Sequence, residues 1–151
     1  MSAFSGNFSN KLDAKGRVSI PADFRSVLAP PGSKARIVLR PSPLHPCLEG
    51  CTEAHFQALT DRLDTMDPFS AEYDDLATEL HGQTIKLELD DDGRTVLPLS
   101  LIAEYGFSGT VKFIGLGRTF QIWEQAAGDQ RLADLNAARR ARALTRSSGA
   151  A

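Results

Sequence analysis

Apolar and charged side chains alternate from residue 85 to residue 90: Ile85, Leu87 and Leu89 stand against Lys86, Glu88 and Asp90. A period of two predicts a strand with one buried face. Similar alternation at residues 34–39 and 110–114 predicts two more strands, and residues 47–51 and 119–123 read as a fourth and a fifth. The period then changes. Phe56, Leu59, Leu63 and Met66 recur at helical spacing over residues 53–66, where Asp67 and Pro68 interrupt the pattern. Ser70 is placed to cap a second helix carrying Tyr73, Leu76, Ala77 and Leu80, with Gly82 as its C-cap. A last helix is expected over residues 124–146, apolar at Leu132 and Leu135 and then rich in Ala and Arg, followed by a loose tail at 147–151.

The same decapeptide pattern occurs twice. Residues 12–21, Leu-Asp-Ala-Lys-Gly-Arg-Val-Ser-Ile-Pro, return at 89–98 as Leu-Asp-Asp-Asp-Gly-Arg-Thr-Val-Leu-Pro, an offset of 77 positions from Asp13 to Asp90. That offset also matches Phe24 with Leu101, Gly32 with Gly109 and Ile37 with Ile114, and a five-residue insertion near Pro41 to Pro46 then breaks the register. Each copy reads as strand, turn, strand and a short helix opened by Pro21 or Pro98, since proline loses no needed N–H there. Gly16 and Gly93 supply a positive φ within the turns. Asp13 and Asp90 carry short carboxylates that can organise the loops by accepting turn N–H bonds. Arg17 and Arg94, four positions on, can pair with those carboxylates or reach outward to phosphate and base edges.

One copy alone would leave strand edges unpaired and could not enclose a core. Two copies can pair their edges and close a small barrel. The expected fold is α+β with a mainly β core, an intrachain pseudo-dimer forming one domain over residues 1–151. Its parts are a first repeat at about 4–52, a helical segment at about 53–82, a second repeat at about 83–124, and a C-terminal helix and tail at about 125–151.

The 151 residues, 42% hydrophobic, suffice for one sizeable core. No apolar stretch approaches the roughly 20 residues that span a bilayer, and the N-terminus lacks the apolar segment of a signal peptide. A cytoplasmic protein without membrane contact is expected. Its net charge of −2 conceals a strong asymmetry: residues 1–46 carry +5, residues 47–108 carry −11 and residues 109–151 carry +4. Lys11, Lys15, Arg17 and Arg25 cluster in sequence about the first turn, a candidate site for an anionic partner. The second turn holds Asp90, Asp91 and Asp92 instead, and three carboxylates beside Arg94 repel a polyanion. An exposed pairing of Arg17 with Asp13 would account for both residues without any ligand. Arg139, Arg140, Arg142 and Arg146 fit a solvated helix end or a nonspecific grip on DNA.

His45, Cys47, Cys51 and His55 lie close enough in sequence to raise a zinc site. If residues 47–51 form a strand, however, the two Cα atoms stand roughly 13 Å apart, too far for a disulfide and unfavourable for one metal ion. Reduced, buried thiols are the expectation, with no metal or cofactor. His81 near Asp74, Asp75 and Glu79 offers acid–base groups but no nucleophile motif or phosphate loop accompanies them, so no catalytic residue is assigned and no enzyme is expected.

The stretch from Gly6 to Pro21 closely resembles the start of the MraZ family of bacterial transcriptional regulators, and both D-x-x-x-R motifs, Asp13/Arg17 and Asp90/Arg94, strengthen the match. The resemblance covers about residues 4–124. It implies an AbrB-like swapped-hairpin barrel, which other members assemble from two one-repeat chains. It further implies a nucleoid-associated, ring-like homo-oligomer binding double-stranded DNA at tandem G-rich direct repeats. There it would repress its own promoter and the division and cell wall gene cluster. Carried over by motif position, Lys15 and Arg17 become readers of DNA, which suits guanine's two acceptors. Lys11 and Arg25 become phosphate contacts, while Asp13, Gly16, Asp90, Gly93 and Arg94 organise the loops. No small-molecule effector site is evident. The rival reading is an antitoxin-like or scaffold module that binds proteins without specific DNA binding.

Overall fold

The computed structural model describes residues 3–29 and 34–149. The first copy contributes strands β1 (Asn7–Lys11) and β2 (Arg17–Ser19), helix α1 (Ala22–Leu28), and strands β3 (Arg36–Pro41) and β4 (Leu48–Cys51). Helices α2 (Glu53–Asp61) and α3 (Ala71–Ala77) follow. The second copy supplies β5 (Ile85–Glu88), β6 (Arg94–Val96), α4 (Leu99–Tyr105), β7 (Thr110–Gly115) and β8 (Phe120–Glu124), and α5 (Gln125–Gly149) ends the described chain.

The two copies are interleaved rather than placed side by side. Six strands form one antiparallel sheet in the order β1-β7-β8-β4-β3-β5, which maps onto itself when the copies are exchanged. Thus β1 pairs with β7 of the other copy, Phe8 opposite Phe113, and β5 pairs with β3, Leu87 opposite Ile37. β2 and β6 form a separate two-stranded ribbon centred on Val18 and Thr95. Every strand that would be an exposed edge in an isolated copy thereby gains a ladder, which is the requirement that made two copies necessary.

The strand pairings also locate the insertions. The offset between copies is 77 at Asp13 and Asp90, 74 at Arg36 and Thr110, and 72 at Leu48 and Phe120. The five-residue difference expected near Pro41 to Pro46 is therefore split, three residues before β3 and two in the β3–β4 hairpin. Ile37 corresponds to Val111, not to Ile114. The match of Gly32 to Gly109 falls outside the described residues.

Helix boundaries follow local chemistry. Pro21 and Pro98 each stand just before a helix, and their carbonyls accept from the Phe24 and Leu101 N–H groups at 2.9 and 3.0 Å. The Ser70 hydroxyl accepts from the Tyr73 N–H at 3.1 Å, the cap read from sequence. The helix expected over 53–66 is α only to Asp61 and then tightens into a 3₁₀ turn, Arg62–Thr65. The next one closes in a π turn, Thr78–Gly82, so Gly82 lies inside it and takes no left-handed cap conformation. α5 continues through Ser147 and Ser148 to Gly149, helical where a loose tail was expected; residues 150 and 151 lie outside the described chain. Among the described residues no helix is long and apolar enough to cross a membrane.

The core draws on both copies. Leu12, Ile20, Phe24, Leu39 and Leu48 meet Leu89, Leu97, Phe113, Phe120 and Ile122, all buried. Gly50 is needed where β4 crosses β8: a Cβ there would lie 2.3 Å from the Phe120 ring tip, and Phe120 is fully enclosed. Gly50→Ala is expected to cost about 1–3 kcal/mol through forced repacking. Chemical denaturation at fixed protein concentration checks this, and an unchanged midpoint would contradict the packing described.

Candidate nucleic-acid interface

In the first turn the chain reverses at Gly16, φ +88°, and the Gly16 N–H donates to the Asp13 carbonyl at 3.0 Å. Asp13 Oδ1 accepts from the N–H groups of Lys15 and Arg17 at 3.0 and 2.9 Å, while Oδ2 pairs with Arg17 Nε at 2.5 Å. The second turn repeats the arrangement. Gly93 has φ +76°, Asp90 Oδ1 accepts from the N–H groups of Asp92 and Arg94 at 2.9 Å each, and Oδ2 pairs with Arg94 Nε at 3.2 Å. Each carboxylate thus organises its loop as the sequence spacing suggests. Hydrogen bonds from the Arg17 backbone and side chain to Asp13, and from the Arg94 backbone to Asp90, hold both acids below the usual aspartate range. This contribution to the turns is complete above the unfolded-state pKa of about 4 and is lost only as pH falls through the lower folded values.

The turns are joined across the pseudo-two-fold. The Ile20 N–H donates to the Gly93 carbonyl at 2.9 Å, and the Leu97 N–H donates to the Gly16 carbonyl at 2.8 Å. In the ribbon between them Val18 and Thr95 point inward, while Arg17, Ser19, Arg94 and Val96 are exposed. A shallow concavity of about 240 Å³ is lined by Lys11, Asp13, Arg17, Val18, Ser19 and Arg94. The two motif arginines, 77 residues apart in sequence, therefore open onto one surface.

That surface is not symmetric in charge. Asp92, the counterpart of Lys15, binds Arg94 Nη2 at 3.2 Å, so Arg94 is held at Nε and Nη2. Arg17 is held at Nε alone, and its two Nη groups have no partner among the described residues. With 54% of the Arg17 side chain exposed, this free fork can engage a pair of acceptors on a ligand.

Arg25 does not join the first turn, as its sequence proximity suggested. It crosses to the second, where its Nη1 donates to the Asp92 carbonyl at 2.9 Å and its side chain fills the space a Cβ on Gly93 would need. The equivalent space over Gly16 is taken by Ile102, the residue 77 positions after Arg25. Each short helix covers the other copy's turn. Asn10, which the sequence reading passed over, fastens β1 to the ribbon through an Nδ2 bond to the Ser19 carbonyl at 2.6 Å. Its only sequence signal is a polar position in an alternating strand.

Cys47 and Cys51 are buried and unpaired. Burial pushes both thiols up to about 12. Their thiolate fraction near pH 8 is correspondingly small, so native protein is expected to react with a disulfide reagent roughly a thousandfold more slowly than an exposed cysteine. Two rapidly reacting thiols should appear on denaturation; fast labelling of the folded protein would show that the thiols are open.

An internally duplicated antiparallel core presenting a basic turn-and-ribbon surface is the class of protein these features define. A family model described as "MraZ protein, putative antitoxin-like" matches residues 3–78. Over 143 residues the chain is 48% identical to the Transcriptional regulator MraZ of Gluconobacter oxydans (strain 621H), an alignment covering 92% of this chain and 87% of that protein. It is also 45% identical over 146 residues to the protein of the same name from Gluconacetobacter diazotrophicus, covering 95% and 92% of the two chains. A third, from Parvibaculum lavamentivorans, is 42% identical over 127 residues, covering 84% and 79%. The chain belongs to the MraZ family.

Proposed function

We infer that this chain is a sequence-specific, DNA-binding transcriptional regulator whose first turn and adjoining ribbon enter a DNA groove. The observation that carries the reading is the free Arg17 fork on an exposed two-stranded ribbon. A major groove admits such a ribbon, and an arginine fork matches the two acceptors of a guanine edge. Lys15, at the turn tip, is the second reader, and Lys11, on the rim of the concavity, contacts phosphate. Asp13 and Gly16 keep the first loop in shape, as Asp90, Gly93 and Arg94 do the second. Arg25 braces the second turn and is withdrawn as a contact beside the first.

The interleaved strand order supports a swapped-hairpin, AbrB-like barrel formed within one domain by a single chain. One turn offers few base contacts, so useful affinity requires several turns on repeated sites. This fits a cytoplasmic, nucleoid-associated, ring-like oligomer on tandem G-rich repeats that represses its own promoter and the division and cell wall genes. The test is a titration of the protein against the DNA immediately upstream of its gene, with shuffled DNA as control, at several salt concentrations. Tight binding to the native fragment alone, weakening as salt rises, is expected. Equal binding to both fragments would overturn sequence-specific recognition and favour the antitoxin-like or scaffold role.

A further inference from the structure

Two surfaces outside the DNA-binding turns are matched in charge and shape. The segment from α2 through the π turn carries eight acids and one arginine, and α3 has no buried residue. Glu72, Asp74, Asp75 and Glu79 are all exposed and form no ion pair among the described residues. Just ahead of them Phe69 is 94% exposed, a large apolar ring standing in water. On the other side of the match, residues 137–149 of α5 are exposed throughout, about 20 Å of helix with no covering layer. This stretch holds Arg139, Arg140, Arg142 and Arg146, no acid, and Leu144 at 71% exposure. At its base a groove of about 490 Å³ is lined by Leu44, Leu116, Leu132 and Leu135.

We propose that copies of this chain assemble head to tail, with Phe69 of one copy seated in the leucine-lined groove of the next and its acidic helix α3 lying along the arginines of α5. The inference rests on the oligomeric reading above and supplies its contact. Linear spacing agrees on the two sides: Phe69 precedes Glu79 by ten residues, and Leu135 precedes Arg146 by eleven. A helix gains most of its stability from packing, so a bare final stretch of α5 calls for a cover. The two faces differ, so the contact is heterologous, and successive copies close into a ring if the rotation allows. Opposite charge selects the mating face, while the buried phenyl ring and leucines supply the attraction that survives salt.

The experiment is a light-scattering mass measurement on the full chain without DNA. One variant carries Asp74→Arg, Asp75→Arg and Glu79→Arg; a second carries Arg139→Glu, Arg140→Glu and Arg142→Glu. Each alone is expected to fall toward the 16.3 kDa mass of the single chain, because both faces then carry one sign. Mixed in equal amounts the two are expected to assemble again. Phe69→Ala should raise the concentration at which the assembly dissociates by tenfold or more. Full-sized assemblies of either charge variant alone, or no recovery on mixing two folded variants, would overturn the contact. Full mass with weakened promoter binding in the α5 variant would also overturn it, assigning those arginines to DNA. Promoter binding by the dissociated chain is a separate reading, so failure of the contact and failure of DNA recognition are told apart.

Discussion

Arg17→Ala is expected to abolish selective binding to the promoter fragment while leaving the fold intact. A good arginine contact to a guanine discriminates by about 1–3 kcal/mol, roughly 5- to 150-fold in affinity at one site. When several identical turns occupy repeated sites, the losses multiply. Little stability should go with them. The Arg17–Asp13 pair is exposed on both sides, and pairs of that kind contribute about 0–1 kcal/mol. The paired measurement is a promoter titration beside a melting curve, and unchanged preference for native over shuffled DNA would remove Arg17 from the recognition surface. Arg94→Ala is the matched comparison, because it cuts an arginine from the same concavity whose Nη2 is already engaged by Asp92. It should cost less affinity than Arg17→Ala; an equal loss would mean that both turns read DNA.

The contrast between those arginines comes from one position in the repeat. Lys15 and Asp92 are counterparts, and exchanging a cation for an anion there both frees the first arginine and tethers the second. A duplicated motif can in this way keep its geometry in both copies while only one copy retains the charge for a polyanion. In the second copy the loop-closing bonds of Asp90 survive complete.

The turns were legible in the sequence because their determinants are local. Asp13 and Arg17 lie four residues apart, and every bond that closes the loop falls between them. Strands with one wet face were legible for a similar reason, as were the Ser70 cap and the break at Asp67 and Pro68. What escaped depended on distance. Arg25 bonds a carbonyl 67 residues away, and nothing near it in sequence distinguishes the turn it follows from the turn it covers. Ile37 and Ile114 share a residue type at the repeat offset, yet insertions in two loops put Val111 opposite that role. Chemical identity between copies misled where ladder register decides. The shared concavity of Arg17 and Arg94 could be found only by pairing β2 with β6 in antiparallel register, which places Ser19 beside Arg94.

Phe24→Ala is expected to be the most damaging single truncation in the core, at about 3–5 kcal/mol. The ring is fully buried on α1 of the first copy and stacks edge-on to Phe4 at 5.3 Å, Phe8 at 5.5 Å and Phe113 at 6.3 Å, with Phe120 tilted against it at 5.1 Å. Phe113 and Phe120 belong to the second copy, so this side chain bonds the halves together as well as filling space. Four aromatic neighbours on the strands of an antiparallel sheet have little room to collapse into the void, which places the cost toward the upper part of that range. At roughly 2–4 °C per kcal/mol for a chain of this size, the midpoint should drop by about 10 °C or more. Leu101, its counterpart on α4, is only partly buried, so Leu101→Ala removes fewer contacts and should cost less. Calorimetry of both variants at one protein concentration checks the ordering. A larger loss at Leu101 would mean that the second copy, not the first, supplies the keystone between the halves.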